Sequence, residues 1–343
     1  MFNLSRLVFG QAGAVRAMER VLVSGRPSHA YIFHGPPMVG KRTLALAFAR
    51  ALLCVGEDRP CGECRPCRDI ARGAHPDLRL LPAAEDGGRA GHKPATSKGS
   101  IGIDQIRELR LDSVLSPAEG MWKVYIVTEA DRLTPDAMNA LLKTLEEPPH
   151  HVVLMLLVER PETLLPTITS RCQLVRLPST ERAELSRILQ SHWTVDPARA
   201  DLLAQVSGGR VGWAVNALSD PTVLAERAER LDLLRTVIRG GTINRLEVAS
   251  RLAERYSKGK DDVQLVLGDW LSWWRDVLLV QQGCREAVVN TDQTDELEAS
   301  ARRVSPSALR AAVAAFAPAS DALSANVNPR LVLEHLLLSL PAA

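Results

Sequence analysis

One glycine-rich stretch constrains the fold of this 343-residue chain more than any other. The apolar run "AYIF" leads into "HGPPMVGKRT", where Gly35, Gly40 and Lys41 keep the G-x4-G-K spacing of a phosphate-binding loop. In such a loop the glycines let backbone N–H groups face phosphate oxygens, a lysine neutralises charge, and a strand is joined to a helix. The stretch therefore predicts a nucleotide-binding loop in an α/β domain. Its residues are Gly35, Pro36, Pro37, Met38, Val39, Gly40, Lys41, Arg42 and Thr43.

Strand and helix patterns alternate around this loop. The apolar runs "AYIFHG", "KVYIVT" and "VVLMLLV" are typical of buried parallel strands. Helix formers without a breaker fill Thr43 to Cys54, and "LTPDAMNALLKTLEEPP" predicts a helix with Thr134 as cap and Pro135 in its first turn. We therefore expect a parallel sheet covered by helices in residues 1–178.

The rest of the chain has a different texture. After Pro178 only helical patterns follow, and they predict a small helical unit at 179–240 and a third, also helical, region at 241–343. Between residues 83 and 100 the chain turns to Gly, Ala, Lys, Asp and Ser without periodicity, which predicts a surface loop.

Charge and hydropathy exclude several classes of protein. The chain has 42 basic and 40 acidic residues, so its net charge of +2 provides no global basic footprint for nucleic acid. Its start lacks a charged region followed by an apolar run, and no apolar stretch approaches the roughly 18 residues of a spanning helix. We therefore expect a cytoplasmic protein that needs no membrane.

The groups that would hold magnesium depart from the usual pattern. Arg42 stands where a hydroxyl normally binds the metal, and Thr43 lies roughly 100° further around the helix, so it cannot take over. An Asp-Glu pair normally follows the acidic strand, whereas this chain has Thr128 and Glu129. Glu129 matches the water-activating acid, but two metal contacts are missing, which indicates a lost ATPase activity.

Four cysteines form a separate motif. Cys54, Cys61, Cys64 and Cys67 have the spacing C-x6-C-x2-C-x2-C, which lets four thiolates converge on one tetrahedral zinc. An iron–sulfur cluster is the alternative, but the bacterial ferredoxin run continues with x3-C-P, whereas Cys67 is followed by "RDIARG". The spacing therefore favours a structural zinc site.

Together these motifs resemble those of the AAA+ clamp-loader subunits of bacterial DNA polymerase III, most closely the delta-prime type. The matching sequence segments are "HAYIFHGPPMVGK", the cysteine module at 54–75, "IDQIRELR", "DRLTPDAMNALLKTLEEPP", "LLPTITSRC" and "NVNPRLVLE". They follow the family's order over nearly the whole chain. The resemblance implies an AAA+ module at 1–178, a helical lid at 179–240 and a helical collar at 241–343 that joins a ring of five subunits.

The resemblance also implies a division of labour among subunits. Motor subunits of the gamma and tau forms hydrolyse ATP, whereas delta-prime subunits are stationary partners. Arg171 lies in the short motif Ser170-Arg171-Cys172. The resemblance implies that this arginine reaches into the ATP site of a neighbouring subunit. A guanidinium set against developing phosphate charge accelerates hydrolysis by on the order of 10³ to 10⁵ in GTPases.

Two further positions depart from the motor subunits. The strand "VVLMLLV" ends in Val158-Glu159, where a motor subunit presents a small polar residue to the terminal phosphate. In "GGRVGWAV" the position of a nucleotide-sensing arginine is Gly212, with Arg210 as a possible substitute. Both departures agree with a subunit that does not hydrolyse ATP.

Two hypotheses follow. The first is a non-motor delta-prime-type subunit of the DNA polymerase III holoenzyme that completes the ring and donates Arg171. The second is a gamma/tau-type motor that hydrolyses ATP at its own Lys41. Arg42 and Thr128 favour the first, and ATP or ADP binding without hydrolysis is left open. A zinc-dependent nucleic-acid reader is disfavoured because the cysteines lack two helical histidines.

The resemblance also implies a set of partners. These are the gamma/tau motor subunits and the delta subunit, with primer-template DNA and the sliding clamp reached through the complex.

Overall fold

The computed structural model of the protein describes residues 2–82, 100–325 and 327–342, without the side chains of 260 and 261. The loop predicted at 83–100 lies outside these residues except for its last position. The chain forms two compact units, one of residues 1–195 with 209–213 and the other of 196–208 with 214–343. The threefold division into 1–178, 179–240 and 241–343 stays a prediction.

A five-stranded sheet forms the centre of the first unit. All pairings within it are parallel, and the strand order is β2-β3-β4-β1-β5, so β1 lies between β4 and β5. The predicted parallel sheet is thereby confirmed. The strands are β1 (Ala30–His34), β2 (Leu78–Leu81), β3 (Lys123–Val127), β4 (Val152–Val158) and β5 (Gln173–Arg176).

Helices cover both faces of this sheet. Tyr31 and Phe33 of β1 belong to a core that includes Phe48 of α2, whereas Ile32 belongs to a second core with Leu141 of α5. Residues of a strand alternate between faces, so both faces need apolar side chains, which explains the continuous apolar runs. The helices that precede α8 in the chain are α1 (Ala12–Ser24), α2 (Lys41–Leu53), α3 (Arg65–Ala71), α4 (Ile103–Ser113), α5 (Pro135–Glu146), α6 (Pro166–Thr169) and α7 (Arg182–Trp193).

The described elements after β5 are all helical, as predicted. In the second unit Trp270, Trp273 and Trp274 are buried within one large apolar core. The remaining helices are α8 (Pro197–Val206), α9 (Val211–Ser219), α10 (Thr222–Arg239), α11 (Thr242–Lys258), α12 (Lys260–Gln281), α13 (Thr294–Arg303), α14 (Pro306–Ser324) and α15 (Pro329–Ser339). Within the described ranges, none of the helices has the length and apolar character required to cross a bilayer.

The order of the sheet brings several loops to one edge. Parallel strands end on the same side, and ligands of such sheets bind beyond the carboxyl ends of the strands. Gly35 follows β1, Thr128 follows β3, and Glu159 follows β4. The fold therefore gathers three sequence-predicted positions at the edge where a nucleotide is expected.

Candidate nucleotide loop, cysteine cluster and exposed arginine

The glycine-rich loop adopts a conformation that requires its first glycine. Gly35 has φ +148°, and a Cβ built on it would lie 2.0 Å from the carbonyl oxygen of Leu177. A side chain at this position would collide with the backbone that follows β5, since only glycine tolerates both the positive φ and the close approach. The loop then enters α2, whose N-terminal N–H groups favour an anion.

Lys41 lies at the beginning of α2 and folds back over the loop. Its Nζ donates to the carbonyl oxygens of Gly35 at 2.6 Å and Pro36 at 2.8 Å. Burial lowers the pKa of the Lys41 ammonium, and the carboxylates of Glu159 and Asp131 oppose that shift. The loop and the lysine together are suited to phosphate oxygens.

The beginning of α9 contacts the loop directly. The N–H of Gly212 donates to the carbonyl oxygen of Met38 at 2.7 Å, and a Cβ on Gly212 would lie 2.8 Å from that oxygen. Any larger residue would have to displace the Met38 carbonyl. Arg210 stacks instead on Trp213, with its Cζ 5.7 Å from the ring centroid. Whether Arg210 senses nucleotide stays a prediction.

The positions expected to hold magnesium provide few suitable oxygens. Arg42 is exposed and has no oxygen on its side chain. The hydroxyl of Thr128 donates to the Leu81 carbonyl at 3.1 Å, while Glu129 forms an ion pair with Arg132 at 2.9 Å. Mg²⁺ is usually held by carboxylate and phosphate oxygens. Arg42 and the bonded hydroxyl of Thr128 therefore do not fit the metal, although the loop is suited to phosphate.

The carboxylate of Asp131 accepts hydrogen bonds from two other residues of the chain. Its Oδ2 accepts from the backbone N–H of Glu159 at 3.0 Å, and its Oδ1 accepts from the hydroxyl of Thr163 at 2.7 Å. These bonds join the segments that follow β3 and β4, at the edge occupied by Lys41. No role was assigned to Asp131 from the sequence, although a carboxylate four residues after the buried strand β3 is a signal for one.

An open cavity of about 450 Å³ lies beside the loop. His34 lies on its wall, and burial, with the nearby guanidinium of Arg176 as the second cause, lowers the pKa of that histidine. Arg171 does not line this cavity. The residues that line the cavity are His34, Gly35, Pro36, Glu159, Arg160, Pro161, Glu162, Arg176, Leu177, Pro178 and Ser179.

Gln11 is a further residue that the sequence did not single out. The residue is 3 % exposed, and its Nε2 donates to the carbonyl oxygens of Val39 at 3.3 Å and Pro178 at 2.8 Å. The amide thus ties the glycine-rich loop to the segment after β5. A polar residue in an N-terminal helical pattern offers no sequence signal for such a long-range contact.

The predicted cysteines lie together. Cys54 follows α2, Cys64 immediately precedes α3, and Cys67 is in the first turn of α3, with Cys61 in the connecting loop. The four Sγ atoms are all within 4.8 Å of one another, and Cys54 Sγ is 3.6 Å from Cys61 Sγ and 3.8 Å from Cys64 Sγ. A tetrahedron with Zn–S bonds of about 2.3 Å has edges of roughly 3.8 Å. The cluster can therefore hold a metal ion.

The surroundings of the thiols favour a negative charge at one of them. Backbone N–H groups of Cys64 and Glu63 lower the pKa of Cys61 to about 6. Burial raises the pKa of Cys67 to about 12. Since a metal binds thiolates, the ion itself would have to supply the charge that stabilises a deprotonated Cys67.

Arg171 lies on the surface, just after α6. Its side chain is 37 % exposed, and its Nη2 forms an ion pair with Oε1 of Glu146 at 3.0 Å. Ser170 donates its hydroxyl to the carbonyl of Thr167, while burial raises the pKa of Cys172 to about 12. The segment Ser170-Arg171-Cys172 thus combines an exposed arginine with a partly buried cysteine.

Comparisons with known proteins cover most of the chain. The family model described as "DNA polymerase III, delta subunit" matches residues 10–181, and "DNA polymerase III, delta subunit, C terminal" matches 225–341. The chain is 31 % identical to DNA polymerase III subunit delta' of Bacillus subtilis, with 96 % of each chain covered. It is 29 % identical to subunit tau of the same organism, with 79 % of this chain and 49 % of tau covered.

Among solved structures, a DNA polymerase III gamma subunit-related protein of Thermotoga maritima is similar at 19 % identity and a TM-score of 0.40. That alignment covers 94 % of this chain and 97 % of the other. The two family models match residues 10–181 and 225–341, and the delta' subunit of Bacillus subtilis aligns with 96 % of the chain. The protein therefore belongs to the family of DNA polymerase III delta-prime subunits.

Proposed function

We propose that the protein is a non-motor subunit of a bacterial clamp loader, where it completes the ring and supplies Arg171 to the ATP site of a neighbouring motor subunit. The observation that carries this proposal is the alignment with a delta' subunit over 96 % of both chains. Alignment with tau covers only 49 % of that protein, so the motor assignment has weaker support.

The site at Lys41 supports the same proposal. Its loop can hold phosphate, but Arg42 and Thr128 replace the groups that bind magnesium, and the Thr128 hydroxyl is bonded to Leu81. A triphosphate without its metal lacks a partner for the charge that develops during phosphoryl transfer. We therefore expect the chain to bind ATP or ADP without hydrolysing it.

Arg171 has the chemistry and the exposure that action on a neighbour requires. A guanidinium is always charged, and its planar fork matches phosphate oxygens in two contacts. The side chain is 37 % exposed and does not line the chain's own cavity beside the loop. Its natural target is therefore a phosphate held by another subunit, which we infer to be a gamma/tau-type motor.

The test is an ATPase assay on a loader reconstituted from motor subunits, a delta subunit and this chain, in the presence of primer-template DNA and sliding clamp. We expect Arg171→Ala to leave ring assembly intact and to lower the ATPase rate by at least about tenfold, because one transition-state cation is lost. An unchanged rate in an assembled ring would contradict the proposal.

The tau match makes a motor subunit the second candidate. An ATPase assay on the purified chain with ATP and Mg²⁺ distinguishes the non-motor subunit from the motor subunit. The variant Lys41→Ala is the control for contaminating ATPases. We expect no turnover above that control. Turnover that disappears in Lys41→Ala would favour the motor.

We also infer that the cysteine cluster holds zinc. The Sγ separations fit a closed tetrahedral site, and no oxygen or nitrogen ligand is required to complete it. Elemental analysis should find about one zinc per chain, and the double variant Cys61→Ser, Cys64→Ser should lose it. Native protein purified without any zinc, or holding iron and inorganic sulfide, would contradict this assignment.

The remaining partners follow from the proposed complex. Primer-template DNA and the sliding clamp would be met through the ring, because the net charge of +2 offers no strong general attraction to nucleic acid. Because replication takes place in the bacterial cytoplasm, we expect the protein to act there.

A further inference from the structure

Two elements of the first unit hold the side chain of Arg171. Its Nη2 donates to Oε1 of Glu146 at 3.0 Å, and its Nη1 donates to the carbonyl oxygen of Thr167 at 3.0 Å. Glu146 is the last residue of α5, whereas Thr167 belongs to α6. The position of the guanidinium therefore depends on a residue that is 25 positions away in sequence.

The backbone beneath Arg171 is anchored to the core. Ile168 is 0 % exposed, and Cys172 packs against the same apolar cluster as Ile168. The N–H of Arg171 donates to the carbonyl oxygen of Ile168 at 3.1 Å. The core thus fixes the point from which the arginine side chain extends, and Glu146 and Thr167 contact its guanidinium end.

The two contacts leave part of the guanidinium available. An arginine has five N–H donors, and Glu146 and Thr167 use one each. The carboxylate of Glu146 is itself half exposed. An ion pair this exposed adds little to folding stability, so its effect is better sought in the orientation of the arginine.

We propose that Glu146 is a positioning residue for Arg171 and holds its guanidinium in the orientation that the neighbouring ATP site requires. This inference rests on the proposed function. A free arginine side chain samples many rotamers, and electrostatic stabilisation of a transition state is most effective when the charge is in place beforehand. Burial of the pair against a neighbouring subunit would strengthen the attraction, because the effective dielectric falls.

The experiment uses the full chain in the reconstituted loader, with steady-state ATPase measured over a range of ATP concentrations. We expect Glu146→Gln to lower kcat by roughly two- to fivefold, the effect of a weak ion pair on a rate. The KM for ATP should not change, because a residue that acts only through Arg171 affects the transition state and not the binding of ATP. The matched control is Glu147→Gln, since Glu147 adjoins it and has no ion pair within the described part of the chain.

A double-variant cycle shows whether Glu146 acts through Arg171. In the Arg171→Ala background, Glu146→Gln should have no additional effect on kcat. A further loss in that background, or a kcat equal to that of the unaltered chain for Glu146→Gln alone, would overturn the positioning role while leaving the proposed function intact. If Arg171→Ala itself leaves the ATPase rate unchanged, the proposed function fails, and the inference fails with it. Assembly of each variant is checked by size-exclusion chromatography.

Discussion

At the scale of single residues, two positions affect the phosphate loop in different ways. Arg42 places an exposed cation where a metal-binding hydroxyl is expected. Gly212 lets the beginning of α9 approach the Met38 carbonyl to hydrogen-bond distance. Arg42 thus concerns the chemistry of the loop and Gly212 its shape, and the proposed lack of ATP hydrolysis rests on the first of these.

A buried carboxylate in the second unit makes stability depend on pH. Asp276 is 0 % exposed, and its Oδ2 accepts from the N–H of Val289 at 2.8 Å and of Asn290 at 2.6 Å. Burial raises the pKa of Asp276, and the N–H donors only partly oppose this shift. The folded state therefore binds the proton more tightly than the unfolded state. This contribution to stability is fully present below the unfolded pKa, about 3.9, and is lost as the pH rises through the folded pKa.

We expect Asp276→Asn to remove this pH dependence. Between the two pKa values, the free energy of unfolding of the unaltered chain should rise relative to that of the variant by up to about 1.4 kcal/mol per pH unit as the pH falls. Urea unfolding at several pH values, followed by tryptophan fluorescence, measures the difference. Exposed Asp295→Asn is the control, and parallel curves for Asp276→Asn and the unaltered chain would contradict the assignment.

At the scale of elements, α5 connects the sheet edge to the exposed arginine. It begins at Pro135 after the cap Thr134 and ends at Glu146, the partner of Arg171. Its buried face contributes Leu141 to the core beneath the sheet. The position of Glu146 therefore depends on how well this single helix is formed and packed.

We expect the cap of α5 to contribute measurably to stability. The hydroxyl of Thr134 accepts from the N–H of Ala137 at 3.2 Å, and its loss leaves one N–H of the first turn without a side-chain partner. Thr134→Ala should lower the free energy of unfolding by about 1 kcal/mol. Thr134→Ser keeps the acceptor and should change it little. Equal loss in both variants, measured by chemical denaturation, would mean that the methyl group and not the cap is important.

At the scale of the whole molecule, the cysteine cluster links two helices of the first unit through four side chains. It connects the end of α2 to α3, a helix of seven residues that is too short to be stable by itself. A metal that binds only the folded arrangement stabilises the fold by mass action.

We therefore expect a chelator that removes the proposed zinc to lower the Tm of the purified chain by several degrees, roughly 2–4 °C for each kcal/mol lost. The effect should be larger at pH 8 than under mildly acidic conditions, because protons compete with the metal for thiolates. Differential scanning calorimetry with and without chelator measures it, and the zinc-free double variant Cys61→Ser, Cys64→Ser is the control. A chelator effect of the same size on that variant would show that the cluster is not its cause.

The sequence by itself determined the features that depend on local spacing. Four such features are the G-x4-G-K loop, the continuous apolar runs of the strands, the cap of α5 and the cysteine spacing. Each involves residues close along the chain, where backbone geometry determines which groups can meet. Only the tertiary structure decided the placement of β4 between β3 and β1, the contact of Gly212 with Met38, and the pairing of Glu146 with Arg171. These contacts join segments that are distant along the chain. Which segments meet is set by the strand order and by how the helices pack, and no local pattern encodes either.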